Sequence, residues 1–128
     1  MENYKELEVW KKAIYLVIEI YKITKSFPPE ERYGLASQVQ RAVVSVPANI
    51  AEGWGRGSTR EYIRYLRISK GSLMELETYL IISEKLDYIS RQQAVAVKKD
   101  VENIGRMTNS LISRLTKKVD LQLLTPNP

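Results

Sequence analysis

The segment NIAEGWGRGSTREY, residues 49–62, places three glycines at alternating positions before a serine, a threonine and an arginine. A dinucleotide-binding turn needs G-x-G-x-x-G after a strand, and a phosphate-binding P-loop ends in Gly-Lys followed by Ser or Thr. The segment has neither pattern, so we expect Gly53 and Gly55 to end a helix through left-handed backbone angles. The free amides of the following helix, flanked by Arg56 and Arg60, would still suit one phosphate group.

A stripe of basic residues begins in this segment and continues beyond it. On a helical wheel its members fall on one side, and residues 54–70 carry five basic groups against a single glutamate. The basic stripe consists of Arg56, Arg60, Arg64, Arg67 and Lys70. Six residues of the last helix would widen it, namely Lys98, Lys99, Arg106, Arg114, Lys117 and Lys118.

Two interpretations of the basic stripe are open. The stripe has almost no acidic partners of its own, so it is either a solvated face or the donor of ion pairs to another helix or subunit. Alternatively, it binds the phosphate backbone of RNA or DNA without regard to sequence, since arginine can contact phosphate oxygens through two hydrogen bonds. No aromatic base-stacking platform accompanies it, so base-specific recognition is not expected.

A line of polar residues runs along the preceding helix, formed by Ser37, Arg41, Ser45, Asn49 and Glu52. In an enzyme, Glu52 would act as a base positioned by Asn49. As structure, these groups would satisfy one another, cap the carbonyl freed by the proline in this helix, or contact another subunit. Because one carboxylate without a paired acid, histidine or metal is weak support for catalysis, we interpret the line as a structural polar signature.

Cysteine and histidine are absent from the chain. Zinc sites built on sulfur or imidazole, disulfides, thiol nucleophiles and serine–histidine relays are therefore excluded. We expect no metal, no cofactor and no enzymatic activity. A hydrolase that uses Glu52 is the least favoured alternative.

The chain has 128 residues and a net charge of +5. This length predicts a single domain, which we place at residues 1–118, followed by a C-terminal tail at 119–128. No apolar run is long enough to cross a bilayer, and the N-terminus lacks the basic segment followed by an apolar segment that is typical of a signal peptide. We therefore expect a cytoplasmic protein without membrane contact.

Four segments have helical periodicity, and no segment is typical of a strand. The first is predicted from Lys5 to Lys25, with an apolar surface wider than one core-facing stripe requires, which favours self-association. The second is predicted to open at Pro28 and Pro29 and to end at about Glu52. A proline inside it should produce a kink.

The third and fourth helices begin at capping signals. Ser58 is the expected N-cap of a helix that runs to about Leu86, and Ser90 is that of a helix that runs to about Lys118. Gly71 lies in the middle of the third helix, where glycine is less favourable than alanine. We therefore expect another backbone to approach the helix closely at this position. Short connections between long amphipathic helices favour an all-α, antiparallel up-down four-helix bundle.

Three segments, read in order, carry a family resemblance: LEVWKKAIYLVIEIYKIT, FPPEERYGLASQVQRAVVSVPANIAEGWGR and YLRISKGSLMELETYLIIS. Over most of its length the chain resembles the bacterial four-helix-bundle proteins encoded within 23S rRNA intervening sequences. The most specific matches are Gln38, Arg41 and Ala42, the run Ser45-x-Pro47-x-Asn49-Ile50-Ala51-Glu52-Gly53, and the run Gly71-Ser72-Leu73-x-Glu75-Leu76-Glu77.

The resemblance implies a four-helix protomer that assembles into a homopentameric ring. That family is also similar to the accessory proteins of diversity-generating retroelements, which are basic pentamers that associate with a reverse transcriptase and with nucleic acid. The resemblance identifies Arg41, Asn49 and Glu52 as signature positions, but it does not make them catalytic, and it assigns no biochemical role.

Two functions from different classes follow from these observations. The first is a non-enzymatic homo-oligomer that binds RNA or DNA through repeated basic stripes. The second is an assembly or adaptor protein with a protein partner, in which the arginines form ion pairs between subunits. Loss of the arginines should weaken nucleic-acid binding in the first case and break the oligomer in the second.

Overall fold

The computed structural model describes residues 3–124, and these form four α-helices and two short 3-10 turns. The helices are α1 (Glu8–Thr24), α2 (Leu35–Gly55), α3 (Thr59–Lys85) and α4 (Arg91–Leu124). The 3-10 turns, Tyr4–Glu6 and Pro29–Glu31, precede α1 and α2. No strand occurs within this range, so the predicted all-α class is confirmed.

The predicted N-caps of α3 and α4 are confirmed. The Ser58 hydroxyl accepts a hydrogen bond from the Glu61 amide at 3.3 Å. At the start of α4 the exchange is reciprocal, because the Gln93 amide donates to the Ser90 hydroxyl at 3.1 Å and the Ser90 amide donates to the Gln93 side chain at 2.9 Å. These local bonds satisfy amides that no helical carbonyl can reach.

Other predicted boundaries were wrong. The second helix does not open at the two prolines: they lead into the 3-10 turn, and α2 starts at Leu35, whose amide donates to the Glu31 carboxylate at 3.1 Å. Helix α4 continues past Lys118 to Leu124, so this part of the predicted tail is helical. The remaining tail positions, 125–128, lie outside the described residues.

The glycines after the polar signature also differ from the prediction. Gly53 and Gly55 are helical, and α2 ends only after Gly55. Among the described glycines, Gly57 alone has a positive φ, at 73°. A Cβ on Gly53 would lie 2.8 Å from the Cβ of Tyr65, so Gly53 is needed because two helices approach closely there.

The helices pack in the cyclic order α1, α2, α3, α4, and within residues 3–124 the backbones of α1 and α3, and those of α2 and α4, do not approach closely. Later residues of α2 meet earlier residues of α3, since Val46 pairs with Ser69 and Gly53 with Tyr62. On the other side of α3, Glu84 pairs with Arg91 at the connection to α4. These pairings agree with the predicted up-down arrangement.

The core follows the predicted helical faces. Its most completely buried members come from all four helices and include Leu16, Val43, Leu66, Leu73 and Ile104. Large apolar side chains also remain exposed on α1, α2 and α3 of the protomer. None of the described helices is both long and apolar enough to span a membrane.

Candidate functional site

The basic stripe divides into two sets, and the first set turns toward α2. Arg56 follows the end of α2, where its guanidinium donates to the Glu52 carboxylate at 2.8 Å and to the Tyr65 hydroxyl at 2.7 Å. The same guanidinium lies 5.0 Å from the centre of the Tyr65 ring. Arg56 therefore ties the end of α2 to the first turns of α3.

Arg64 contacts the same tyrosine from α3. Its Nε donates to the Glu61 carboxylate at 2.8 Å, and its guanidinium lies 4.6 Å from the Tyr65 ring centre. We call Glu52, Arg56, Glu61, Arg64 and Tyr65 the arginine–tyrosine cluster. The expectation that the stripe has almost no acidic partners is therefore wrong for two of its five members.

The charges of the arginine–tyrosine cluster stabilise one another. The hydrogen bond from Arg64 lowers the pKa of Glu61, and the same bond raises the pKa of Arg64. The hydrogen bond to Glu52, followed by the charge interaction with Tyr65, raises the pKa of Arg56. Because the cluster is exposed to solvent, its ion pairs hold geometry more than they add stability.

The second set of the stripe is Arg60, Arg67 and Lys70, which we call the unpaired row. Arg60 and Arg67 are exposed and Lys70 is half-buried. Within residues 3–124, no carboxylate forms an ion pair with any of the three. Their positive charge is therefore available to an anionic partner.

Helical spacing places Lys70 on the side of α3 that borders α4. Arg60 and Arg67 are seven residues apart, or about two turns, and Lys70 precedes Glu77 by the same interval. Glu77 lines the groove between α3 and α4, together with Ile81 and Val95. Lys70 therefore continues that side of α3 toward its N-terminus, and Arg60 and Arg67 lie on the neighbouring outer face, which points away from the core.

The polar signature of α2 is mostly a structural network. Asn49 donates its side-chain amide to the carbonyl and hydroxyl oxygens of Ser45, each at 2.8 Å. The Ser45 hydroxyl shares a 2.8 Å hydrogen bond with Ser72 of α3. Asn49 does not hold Glu52, which pairs with Arg56 instead. The arrangement required for Glu52 to act as a positioned base is thus not formed.

Arg41 stands apart from this network: it is exposed, and no side-chain hydrogen bond or ion pair connects it to Ser45, Asn49 or Glu52 within residues 3–124. The Asn49 side chain bonds the Ser45 carbonyl, and not the carbonyl that Pro47 leaves without its usual helical donor. A second hydroxyl, that of the buried Ser69, donates to the Val46 carbonyl at 2.9 Å. The polar residues therefore join α2 to α3.

Sequence reasoning missed the hydrogen bonds of Ser69, Ser72 and Tyr65. The motif Gly71-Ser72-Leu73 contains one of the three, and the sequence assigns it no hydrogen-bond partner. Small hydroxyl residues at core positions are a usable signal, because a buried hydroxyl requires an acceptor. The partners themselves lie 23 and 27 residues away along the chain, for Ser69 and Ser72, and no local pattern identifies them.

Tyr62 is another residue whose environment the sequence did not indicate. Its side chain is 9% exposed, its ring meets Trp54 edge-on at 6.0 Å, and its hydroxyl is buried without a hydrogen-bond partner. Burial raises the pKa of Tyr62, while the charge of Arg114 on α4 acts in the opposite direction. Tyr62 therefore lies where the start of α3 packs against the end of α2, with the charge of Arg114 on α4 near enough to act on it.

A groove lies between the C-terminal half of α3 and the N-terminal half of α4, with a volume of about 670 Å³. Leu80 and Val101 form part of its floor, and charged residues of both signs stand at its rim. Within residues 3–124, no cluster of three or more acidic residues is arranged to hold a metal ion.

Comparison with known proteins supports one family. A family model described as 23S rRNA-intervening sequence protein matches residues 5–110. A similar solved structure, from Bacteroides thetaiotaomicron VPI-5482, is described as a protein with unknown function from the S23 ribosomal protein family. It is 25% identical, covers 81% of this chain and 97% of its own, and has a TM-score of 0.76. Comparison with curated proteins gave no match.

The family match covers the polar signature, the whole basic stripe and the first three helices. The structural neighbour has the same helical fold at a TM-score well above chance similarity. Both findings agree with the resemblance carried by the motifs of α2 and α3. The chain belongs to the 23S rRNA-intervening sequence protein family.

Proposed function

We propose that this chain is a non-enzymatic, homo-oligomeric protein that binds the phosphate backbone of RNA or DNA without base specificity. The observation that carries the proposal is the unpaired row, in which Arg60 and Arg67 are exposed without an acidic partner within residues 3–124. Unneutralised cations on a rigid helix release counterions when they meet phosphates, and this release drives sequence-independent binding.

The arginine–tyrosine cluster defines which part of the basic stripe takes part. Arg56 and Arg64 are already paired with carboxylates, so they position the start of α3 and contribute little free charge. The proposed contacts to phosphate are therefore Arg60, Arg67 and Lys70. The cytoplasmic location expected from the sequence belongs to the same proposal.

Self-association rests on two apolar surfaces of the protomer. On α1, Ile14, Ile18 and Tyr21 lie four and seven residues apart and are 36%, 51% and 42% exposed. On α3, Met74 and Ile81 lie seven residues apart and are 49% and 50% exposed. The two surfaces lie on α1 and α3, which are diagonal to each other in the bundle, so one copy would pack its α1 against α3 of the next.

Such a head-to-tail contact forms a closed ring when its rotation closes, and the homopentamer implied by the resemblance is the proposed product. A ring repeats the unpaired row once in each protomer. Repetition raises avidity for a long polyanion without any new contact.

The binding proposal is tested by substituting Arg60→Ala together with Arg67→Ala. We expect affinity for a fluorescent 30-nucleotide RNA or DNA to fall at least tenfold at moderate salt, and the slope of log K against log salt to become shallower by about two. A charge-matched control, Lys12→Ala on α1 with Lys25→Ala at its C-cap, should bind as the parent does. Equal binding by both variants would contradict the proposal.

The assembly proposal is tested by Ile18→Glu and, separately, by Ile81→Glu. Either substitution places a charge in an apolar contact, so light scattering should show a shift from oligomer to monomer while circular dichroism stays helical. Tyr33→Glu is the control, because Tyr33 is exposed in the turn before α2. An oligomer that resists both α1 and α3 substitutions would reject these surfaces.

A second candidate function is an adaptor for a protein partner, such as the reverse transcriptase implied by the resemblance. The exposed apolar half of α3 and the adjoining groove favour it, since such surfaces are typical of protein contacts. In this case the Arg60 and Arg67 double variant would disrupt the oligomer, and the parent protein would bind nucleic acid only at background level.

A further inference from the structure

Helix α4 carries a second row of basic residues beside the first. Lys99 lines the groove against α3, Arg106 follows it by seven residues, and Lys117 follows Arg106 by eleven. At 3.6 residues per turn these intervals are about two and three whole turns, so the three residues share one line along α4, and this line borders the groove at Lys99. Arg106 and Lys117 are both exposed.

The packing register places Arg106 and Lys117 level with the unpaired row. At one end of the α3–α4 pair, Glu84 bonds Arg91, and at the other end Thr59 and Arg60 share a small cleft with Val119. The helices are therefore antiparallel, and the half of α4 that contains Arg106 and Lys117 lies beside the half of α3 that contains the unpaired row.

The charges of this second row are also unneutralised. Arg106 donates to the side chain of Asn103, which is uncharged. Within residues 3–124, neither Arg106 nor Lys117 forms an ion pair with a carboxylate. Two rows of free cations thus border one seam of the bundle.

The dimensions of the two rows suit two phosphate strands. Arg60 to Lys70 and Arg106 to Lys117 each span about 15 Å of helix. Packed helix axes lie roughly 8–10 Å apart, and the grooves that separate the strands of a B-form duplex are roughly 6–12 Å wide. Each row can therefore follow one of the two backbones that border a groove.

A single strand is a poorer fit to the same surface. Proteins that bind single strands combine a basic channel with aromatic rings on which the bases stack. Helix α4 has no aromatic residue, Tyr62 is buried, and the ring of Tyr65 is contacted by Arg56 and Arg64. The basic seam therefore offers phosphate contacts and no free stacking surface.

We infer that the α3–α4 seam binds double-stranded nucleic acid, with the unpaired row on one phosphate strand and with Arg106 and Lys117 on the other. The inference rests on the proposed function and adds the form of the nucleic acid and two contact residues on α4. Phosphate contacts are common to duplex RNA and duplex DNA, so the experiment includes both.

The test compares one 20-nucleotide sequence as a single strand and as a duplex, in RNA and in DNA, by fluorescence anisotropy across a salt series. The intact protein should bind at least one duplex tenfold or more tightly than either single strand. Arg106→Ala with Lys117→Ala should lower duplex affinity about tenfold and make the salt slope shallower by about two, with single-strand binding changed less than twofold.

The conservative exchange Arg106→Lys with Lys117→Arg keeps both charges and should retain duplex binding, while Lys12→Ala with Lys25→Ala controls for net charge. Equal or tighter binding of single strands, or a duplex affinity that is unchanged by the Arg106 and Lys117 substitutions, would overturn the inference. If the Arg60 and Arg67 substitutions still weaken binding in that case, the proposed function stands. A protein that binds no nucleic acid at any salt concentration would reject both.

Discussion

The two sides of α3 differ in how they meet their neighbours. Toward α2, the contact is tight: Gly53 leaves no room for a Cβ, Ser69 donates to the Val46 carbonyl, and Ser72 shares a hydrogen bond with Ser45. Toward α4, the helices enclose an open groove of about 670 Å³. One side of α3 is thus used for structure, and the other leaves charged and apolar side chains accessible.

The basic stripe splits according to which partners lie within reach. Arg64 is exposed but finds Glu61 and Tyr65 of its own helix close by, and it pairs with both. Arg67 forms no ion pair with a described carboxylate and keeps its charge exposed. Proximity along the sequence therefore does not give these arginines the same role.

The largest expected effect is at the close approach of α2 and α3. Gly53→Ala would place a Cβ 2.8 Å from the Tyr65 Cβ and 3.2 Å from the Tyr62 carbonyl oxygen, so one helix must shift. Overpacking costs roughly 1–3 kcal/mol, and we expect a net loss of about 2 kcal/mol in the free energy of unfolding, measured by urea denaturation.

The matched control for this substitution lies in α4. A Cβ on Gly105 would meet nothing within 4 Å, so Gly105→Ala should raise the free energy of unfolding by up to about 1 kcal/mol through helix propensity. If both alanine variants gain stability, the α2–α3 contact is not as tight as described.

The next effect concerns the buried hydrogen bond between the helices. Ser69→Ala removes the donor to the Val46 carbonyl and should lower the free energy of unfolding by about 1 kcal/mol. Thr108→Ser in α4 is the comparison, because Thr108 is equally buried but bonds the Ile104 carbonyl of its own helix, and this variant keeps that donor. Amide exchange in α2 should accelerate in the Ser69 variant only.

Tyr62 tests the boundary between the two sides. Its hydroxyl is buried without a partner, so Tyr62→Phe should raise the free energy of unfolding by about 1 kcal/mol at neutral pH. Burial raises the pKa of the folded tyrosine, so the unfolded chain ionises first as pH rises above about 10 and the parent loses stability there. The stability gap between variant and parent should therefore widen with alkaline pH; a constant gap would contradict this.

The smallest expected effect is in the exposed arginine–tyrosine cluster. The hydrogen bond from Arg64 lowers the pKa of Glu61, so the stabilisation by this pair exists above the ordinary glutamate pKa and is lost as pH falls through the lowered value. Arg64→Ala should raise the Glu61 pKa in an NMR titration, with little change in melting temperature. Arg60→Ala should leave the Glu61 pKa unchanged.

Local signals accounted for the confirmed parts of the fold. Ser58 and Ser90 marked the starts of α3 and α4 because a helix N-cap is decided by bonds within four residues. The core faces followed from helical periodicity, as at Val43 and Leu66. The predicted end of α4 is too early, because the composition of the last segment suggested a tail. No glycine or proline stops the helix before Leu124, so it continues to that residue.

The candidate site was only half predictable. The wheel placed the basic residues on one side of α3, because 3.6 residues per turn fixes which side chains share a face. It could not show that Arg56, which pairs with Glu52 four residues before it, also reaches Tyr65 of α3. That contact depends on how the connection after Gly55 folds α2 back against α3.

The sequence by itself determined the helices, their buried faces, the absence of thiol and imidazole chemistry, and the family to which the motifs belong. Each of these depends on residue type or on spacing within a few turns. Only the tertiary structure decided that Gly53 serves close packing, and that Arg56 reaches Tyr65 of α3. Both are set by distances between helices, and the packing register of distant segments controls those distances.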